Sequence, residues 1–139
     1  MPAKSPYRAA FKQHKANTQK TLRLITSDVA IEIAESLVIK TPIDTSRAEA
    51  NWVAALNTVP QEFDEAKRNS GGNRINLDKA KALAKRMKLG DVFVMANSTP
   101  YIFLLNDGSS TQAPNGMTPL TIAAFPRMVE RAVQRRASD

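Results

Sequence analysis

Few side chains in this sequence could do chemistry, and they are scattered. The single histidine, His14, sits in a run of cations, and there is no cysteine. A zinc site draws on several His, Cys and carboxylate ligands, and a nucleophilic triad needs a base beside its nucleophile, so these residue types supply neither. Disulfide staples are excluded with them. What remains is a set of carboxylates, Asp44, Glu49, Glu62, Asp64, Glu65 and Asp107, two of which could pair as general acid and general base. Their spacing favours no pair, and Glu62, Asp64 and Glu65 have the surroundings of a solvated loop. Gly71-Gly72 is not followed by the Lys-Ser/Thr of a phosphate-binding loop, and Gly116 stands alone. The expectation is a protein with no catalytic residue, no cofactor and no metal.

Two segments rich in turn formers are more distinctive. The first is Thr41-Pro42-Ile43-Asp44-Thr45-Ser46-Arg47 running into Asn51-Trp52. The second runs from Val92 through Asn97, Pro100-Tyr101 and Asp107-Gly108-Ser109-Ser110 to Pro114-Asn115-Gly116-Met117. On residue chemistry alone, Asp44 and Thr45 suit side-chain to backbone bonds at a turn. Arg47 could pair locally with Asp44, or lie buried against the Asp107 turn. Trp52 reads as core or interface filler, and Tyr101 and Phe103 read as core, with the tyrosine hydroxyl satisfied at an edge.

The elements that position these segments follow from periodicity. Residues 1–16, with early prolines and scattered cations, read as a flexible basic arm. From Asn17 to Ile39 the spacing of Leu22, Ile25, Val29, Ile33 and Leu37 predicts a helix, ended where Thr41 precedes Pro42. Leu24, Ile31 and Val38 widen its apolar surface, so it should be covered on more than one side. Alternation from Ser46 to Leu56 suggests a strand, with Arg47, Glu49 and Asn51 on its polar face, although its alanines favour helix. A long loop is expected at about 57–75. A short helix should follow, with Asn76 as N-cap, Leu77, Ala80, Leu83, Ala84 and Met87 on one face, and Gly90 at its end. Val92 to Ala96 reads as a buried strand, Tyr101 to Leu105 as strand or helix. Thr118-Pro119 opens a last helix that Pro126 should kink or restart. Residues 17–139 thus form a single domain of class α+β, a small mixed or antiparallel sheet packed against the long N-terminal helix and the C-terminal helix.

The charge pattern adds a constraint on partners. The net charge of +7 is unevenly placed. Before Asp28 there are only cations, from Asp28 to Glu65 acids dominate, and cations return at Lys79, Lys81, Lys85, Arg86 and Lys88 and at Arg127, Arg131, Arg135 and Arg136. This pattern fits complementary faces in an assembly. It also fits a small basic DNA-binding protein using Lys79 to Lys88 and the terminal arginines, although no familiar reader motif is present. No apolar run approaches the ~20 residues of a membrane span.

In order and approximate spacing, the two segments resemble a tailed-phage family of tail-completion and head–tail joining proteins, which includes minor tail components of the lambda protein Z type. In that family a long helix ends at Thr-Pro-hydrophobic-Asp-Thr-Gly-Arg before a strand with a Ser-Trp-like pair. Later come a strand ending in Asn, a Pro-Tyr pair, an acidic-x-Gly-Thr/Ser stretch and an apolar-Pro loop. The matching positions are Thr41, Pro42, Asp44, Thr45, Arg47, Trp52, Asn97, Pro100, Tyr101, Asp107, Gly108, Pro114 and Gly116. Ser46 stands where glycine is usual, Asn106-Asp107-Gly108 replaces Glu-x-Gly, and residues 74–90 have no close counterpart. The resemblance implies a structural virion protein, assembled in the host cytoplasm and forming a homo-oligomeric ring, hexameric or dodecameric, in the phage neck. Its implied partners are a tail terminator or head connector, with genomic DNA passing through the channel. These positions would fix the fold and line subunit contacts.

Overall fold

The computed structural model of the protein describes residues 6–43, 46–70 and 72–137. Its elements are α1 (Pro6–Lys40), α2 (Arg47–Ala50), β1 (Trp52–Leu56), α3 (Ile75–Lys85), β2 (Phe93–Asn97), α4 (Ile102–Asn106) and α5 (Thr118–Ala137). The fold is α+β, with the long N-terminal helix, a two-stranded antiparallel sheet and the C-terminal helix in contact. None of its described helices is long and apolar enough to cross a membrane.

The helix α1 is the rod on which the other elements are laid, and its apolar surface is divided among them. Val29 packs with Met128 and Ala132 of α5, while Ala30 packs with Ala84 and Met87 at the end of α3. Ala34, Leu37 and Val38 join Ala48, Trp52, Leu77, Ala80, Ile102 and Met117 in the main core. The wide apolar surface read from the sequence is therefore covered from two sides within one chain. Many of these positions are alanine, and a small side chain lets two backbones approach closely.

Polar contacts set the direction of α5. Asp28, only 7% exposed, accepts two bonds from Arg136, from Nε at 2.8 Å and Nη2 at 2.7 Å. Further along, Glu32 pairs with Arg131 at 2.9 Å, and the hydroxyls of Ser36 and Thr121 lie 2.7 Å apart. Residues rising along α1 thus meet residues falling along α5, so the two helices run antiparallel. Pro126 lies within α5, which continues through it as one helix rather than restarting. On the α3 side, Lys81 reaches Glu35 at 3.1 Å.

Strands β1 and β2 pair from Trp52↔Asn97 to Leu56↔Phe93. A lone two-stranded ribbon is marginal in water. Here Trp52, Ala54, Phe93 and Met95 turn one face onto the main core. At its far end Asn57, at φ 63°, exchanges bonds with Val92, its N–H donating to the Val92 carbonyl at 2.8 Å and its Oδ1 accepting from the Val92 N–H at 2.8 Å.

Several boundaries differ from the expectations, each for a physical reason. Helix α1 begins at Pro6, so the described part of the expected arm is helical. It lacks apolar periodicity because no other described element packs on it. The expected strand from Ser46 is a short helix first, α2, and β1 starts only at Trp52. The alanines prevail there, and Glu49 and Asn51, expected on a polar face, are buried. Asn76 is inside α3 rather than its N-cap, because its amide donates to the carbonyls of Glu49 (2.9 Å) and Trp52 (3.2 Å). Helix α3 stops at Lys85, and Gly90, at φ 93°, serves the next turn instead. Leu22 and Phe103, read as core, are exposed.

Two expectations follow. Replacing Asp28 by alanine removes both of its bonds with Arg136 and should lower the unfolding free energy by about 3 kcal/mol, read from urea titration; a loss within error would remove this pair as the α1–α5 lock. The Asp91 carboxyl accepts from the Lys88 N–H at 2.8 Å and from Asn57 Nδ2 at 3.1 Å, and these bonds hold its pKa below the ordinary value. A depressed folded-state pKa stabilises above the unfolded-state value and is lost as pH falls through the folded one. Hydrogen-exchange protection at Lys88, corrected for intrinsic rates, should therefore fall on acidification below the ordinary carboxylate range, and Asp91→Asn should flatten that dependence.

Candidate functional site

The two turn-rich segments meet at the end of α1. Thr41, 1% exposed, donates its hydroxyl to the Leu37 carbonyl at 2.6 Å and accepts the Trp52 indole N–H at 2.7 Å. Pro42 is buried beside it. Ser46 takes the left-handed conformation at φ 59°, a strained choice for a residue with a Cβ. Its hydroxyl offsets this by donating to the Asn69 carbonyl and accepting the Asn69 N–H, both at 2.9 Å. Asn97, the last residue of β2, donates from Nδ2 to the Ala48 carbonyl at 2.7 Å and accepts the Thr99 N–H at 3.0 Å.

Residues 106–118 close a compact loop through two glycines at positive φ. A Cβ on Gly108 would fall 2.2 Å from the Pro114 carbonyl oxygen, and one on Gly116 would fall 2.0 Å from that of Asn106. Close backbone approach, as well as torsion, requires glycine at both. Asn106 Oδ1 then accepts the N–H groups of Met117 (3.3 Å) and Thr118 (2.8 Å), capping donors that the first turn of α5 leaves without helical partners. Gln112 Oε1 accepts the Ile43 N–H at 2.8 Å, which ties the loop to the first segment.

Between the segments lies an open cleft of about 430 Å³, lined by Pro42, Ser46, Arg47, Ala48, Tyr101, Leu105, Ser109, Ser110 and Gln112. Arg47 is the one charged residue in this lining among the described residues. Its Nη1 lies 3.8 Å from the exposed Glu65, and its buried Nε has no hydrogen-bond partner among the described residues. The structure pairs Arg47 with Glu65 rather than with the Asp107 turn. Asp107 is exposed just after α4, and Pro100 is exposed in the turn ahead of it. Asp44 and Thr45 lie outside the described residues.

A polar cluster that sequence reasoning missed sits next to the cleft. Glu49, 2% exposed, accepts from Asn69 Nδ2 (2.7 Å) and Arg74 Nε (3.1 Å) through one carboxylate oxygen. Asn51 holds Asp64 by both backbone groups, at 2.9 and 3.0 Å, and donates to the Arg47 carbonyl at 2.9 Å. The signal available was the density of asparagines after residue 50, residues that commonly bond to backbone. Of the carboxylates weighed as acid–base candidates, Glu49 is bonded to Arg74 and Asn69 through Oε1 while its buried Oε2 has no partner among the described residues, and Asp64 Oδ1 accepts the Ala66 N–H at 2.9 Å. Among the described residues no group of three His, Asp or Glu could hold a metal ion. The arrangement fixes backbone direction at several joints.

Comparison with protein-family models, curated proteins and solved structures finds no match to this chain.

Two substitutions test these joints. Gly116→Ala should cost about 3 kcal/mol or more, whereas Gly90→Ala, with open space around it, should cost about 1 kcal/mol; equal losses would mean that close approach is not what selects glycine at 116. Thr41→Val, which strands the buried indole N–H, should cost about 1–3 kcal/mol and shift the tryptophan near-ultraviolet circular dichroism.

Proposed function

We propose that this chain is a structural virion protein, one subunit of a ring at the head–tail junction of a tailed phage. In this reading the ring completes or caps the tail and joins it to the head connector or tail terminator, with genomic DNA passing through it. The observation that carries the proposal is the use made of the resembling motifs. Thr41, Trp52, Asn97, Gly108 and Gly116, far apart in sequence, meet around the end of α1 as joints of the fold. A motif set whose members hold backbones together is what a shared architecture needs.

The surface supports assembly. On α5, Ile122 is 67% exposed, and Phe125 and Val133 are each 46% exposed. Ile122 and Phe125 border an apolar groove of about 440 Å³ with Ile33, Leu37, Trp52 and Met95. An exposed apolar groove of this kind supports an interaction surface here. The alternative surface for DNA binding, on α3 and the terminal arginines, is partly occupied. Lys81, Arg131 and Arg136 are engaged by Glu35, Glu32 and Asp28.

The deciding experiment is a cryo-electron reconstruction of the particle that carries this gene, where the chain should form a symmetric ring at the junction. Finding it in no virion layer would overturn the reading. In parallel, Phe125→Glu should abolish assembly in particles while changing monomer stability by no more than about 0.5 kcal/mol, as for other exposed positions.

A further inference from the structure

The first half of α1 stands clear of the other described elements. Every residue from Pro6 to Leu22 is exposed, a projection of about 25 Å at ~1.5 Å per residue. Its charged side chains are Arg8, Lys12, Lys15 and Lys20, Arg23 follows, and no acid precedes Asp28. At ~100° per residue, Arg8, Lys12, Lys15 and Arg23 share one flank about 80° wide, with Lys20 next to it. Among the described residues none of these cations is in an ion pair. The second half of α1 is the opposite case, since Asp28, Glu32 and Glu35 neutralise cations of α5 and α3.

This placement is unfavourable for the free helix. There is no acid in its first turn, where the helix dipole favours negative charge. A helix of this length without tertiary contacts is also marginal in water. A polyanion along the flank would relieve both.

We propose that the Arg8–Lys12–Lys15–Lys20–Arg23 flank of α1 is a docking surface for the phosphate backbone of double-stranded nucleic acid. A straight row of cations matches a regular row of phosphates, and Gln19 adds an amide donor on the same flank, a group that commonly contacts phosphate oxygens. The apolar stripe of Tyr7, Phe11 and Leu22 is interrupted by His14 and Thr18, so the helix lacks the continuous apolar face that a membrane surface requires. The inference stands on this helix alone and does not require the ring.

The test measures binding of the full chain to a short DNA duplex across a salt series, by fluorescence anisotropy. Each phosphate-contacting cation removed should lower the salt slope by about one. The triple variant Arg8→Gln, Lys12→Gln, Lys15→Gln should therefore lose about three units of slope, with helicity retained by circular dichroism. The α3 variant Lys79→Gln, Lys85→Gln, Lys88→Gln should match the parent. Absence of salt-dependent duplex binding by the parent overturns the proposal, as does loss confined to the α3 variant. Tighter binding to phosphatidylserine–phosphatidylcholine vesicles than to duplex would reassign the flank to a membrane surface. Loss of self-association in the α1 variant with unchanged duplex binding would reassign it to protein. Sedimentation of the same variants reads assembly separately, so failure here and failure of the ring remain distinct.

Discussion

The hydroxyl of Thr41 decides how the chain leaves its longest helix. It closes onto the Leu37 carbonyl and at the same time receives the indole of Trp52, so the last turn of α1 and the first residue of β1 share one atom. Pro42 prevents the helix from continuing, and the Thr41 contact gives the chain a direction once it has stopped. The position of β1 then fixes β2 through their register, and β2 returns Asn97 to the Ala48 carbonyl. Were the indole left without its acceptor, a buried N–H would be stranded at the centre of the main core.

Around this joint the molecule treats its charges in two ways. Where α1 is flanked by α3 and α5, carboxylates and cations meet across helices and give each neighbour an orientation as well as an attraction. Asp28 is the most buried of these, and two-point contact with a planar guanidinium suits a site that must choose one helix direction. Ahead of Asp28 the same helix carries only cations among its charged residues, and from Pro6 to Leu22 it is exposed throughout. Its net positive charge is therefore concentrated on one end of the rod.

The legible parts of the sequence were those where packing leaves a period or where a turn demands one residue type. The second half of α1, the apolar face of α3 and the strand near Phe93 were readable in this way, as was the stop at Thr41-Pro42. Helix α1 ahead of Asn17 was not, because a helix that touches nothing needs no apolar stripe; its hint was composition, with Ala9, Ala10, Lys12, Gln13, Lys15 and Ala16 all favourable in helices. Helix α2 was hidden because Ala48, Ala50 and Trp52 alternate like a strand while Ala48 and Ala50 prefer a helix. The partners of Glu49 and Asn51 were unreadable in principle, since Asn69, Arg74 and Asp64 reach them only after the intervening chain has closed. The bond between Gln112 and Ile43 belongs to the same category.

The segment between β1 and α3 looks in sequence like one long excursion, yet Asn51 clamps it at Asp64, and Ser46 and Glu49 clamp it at Asn69. Mechanically it is stitched at two points to α2 and its flanking residues rather than running as a single tether. Because closure entropy grows only slowly with length, extra residues between Asn57 and Phe63 would cost the fold little, while a shift of one position at either stitch would unseat a buried side chain. The chain has thereby separated a stretch free to change its length and surface from the stitches that cannot move, which lets its outline diverge quickly while the frame beneath stays the same.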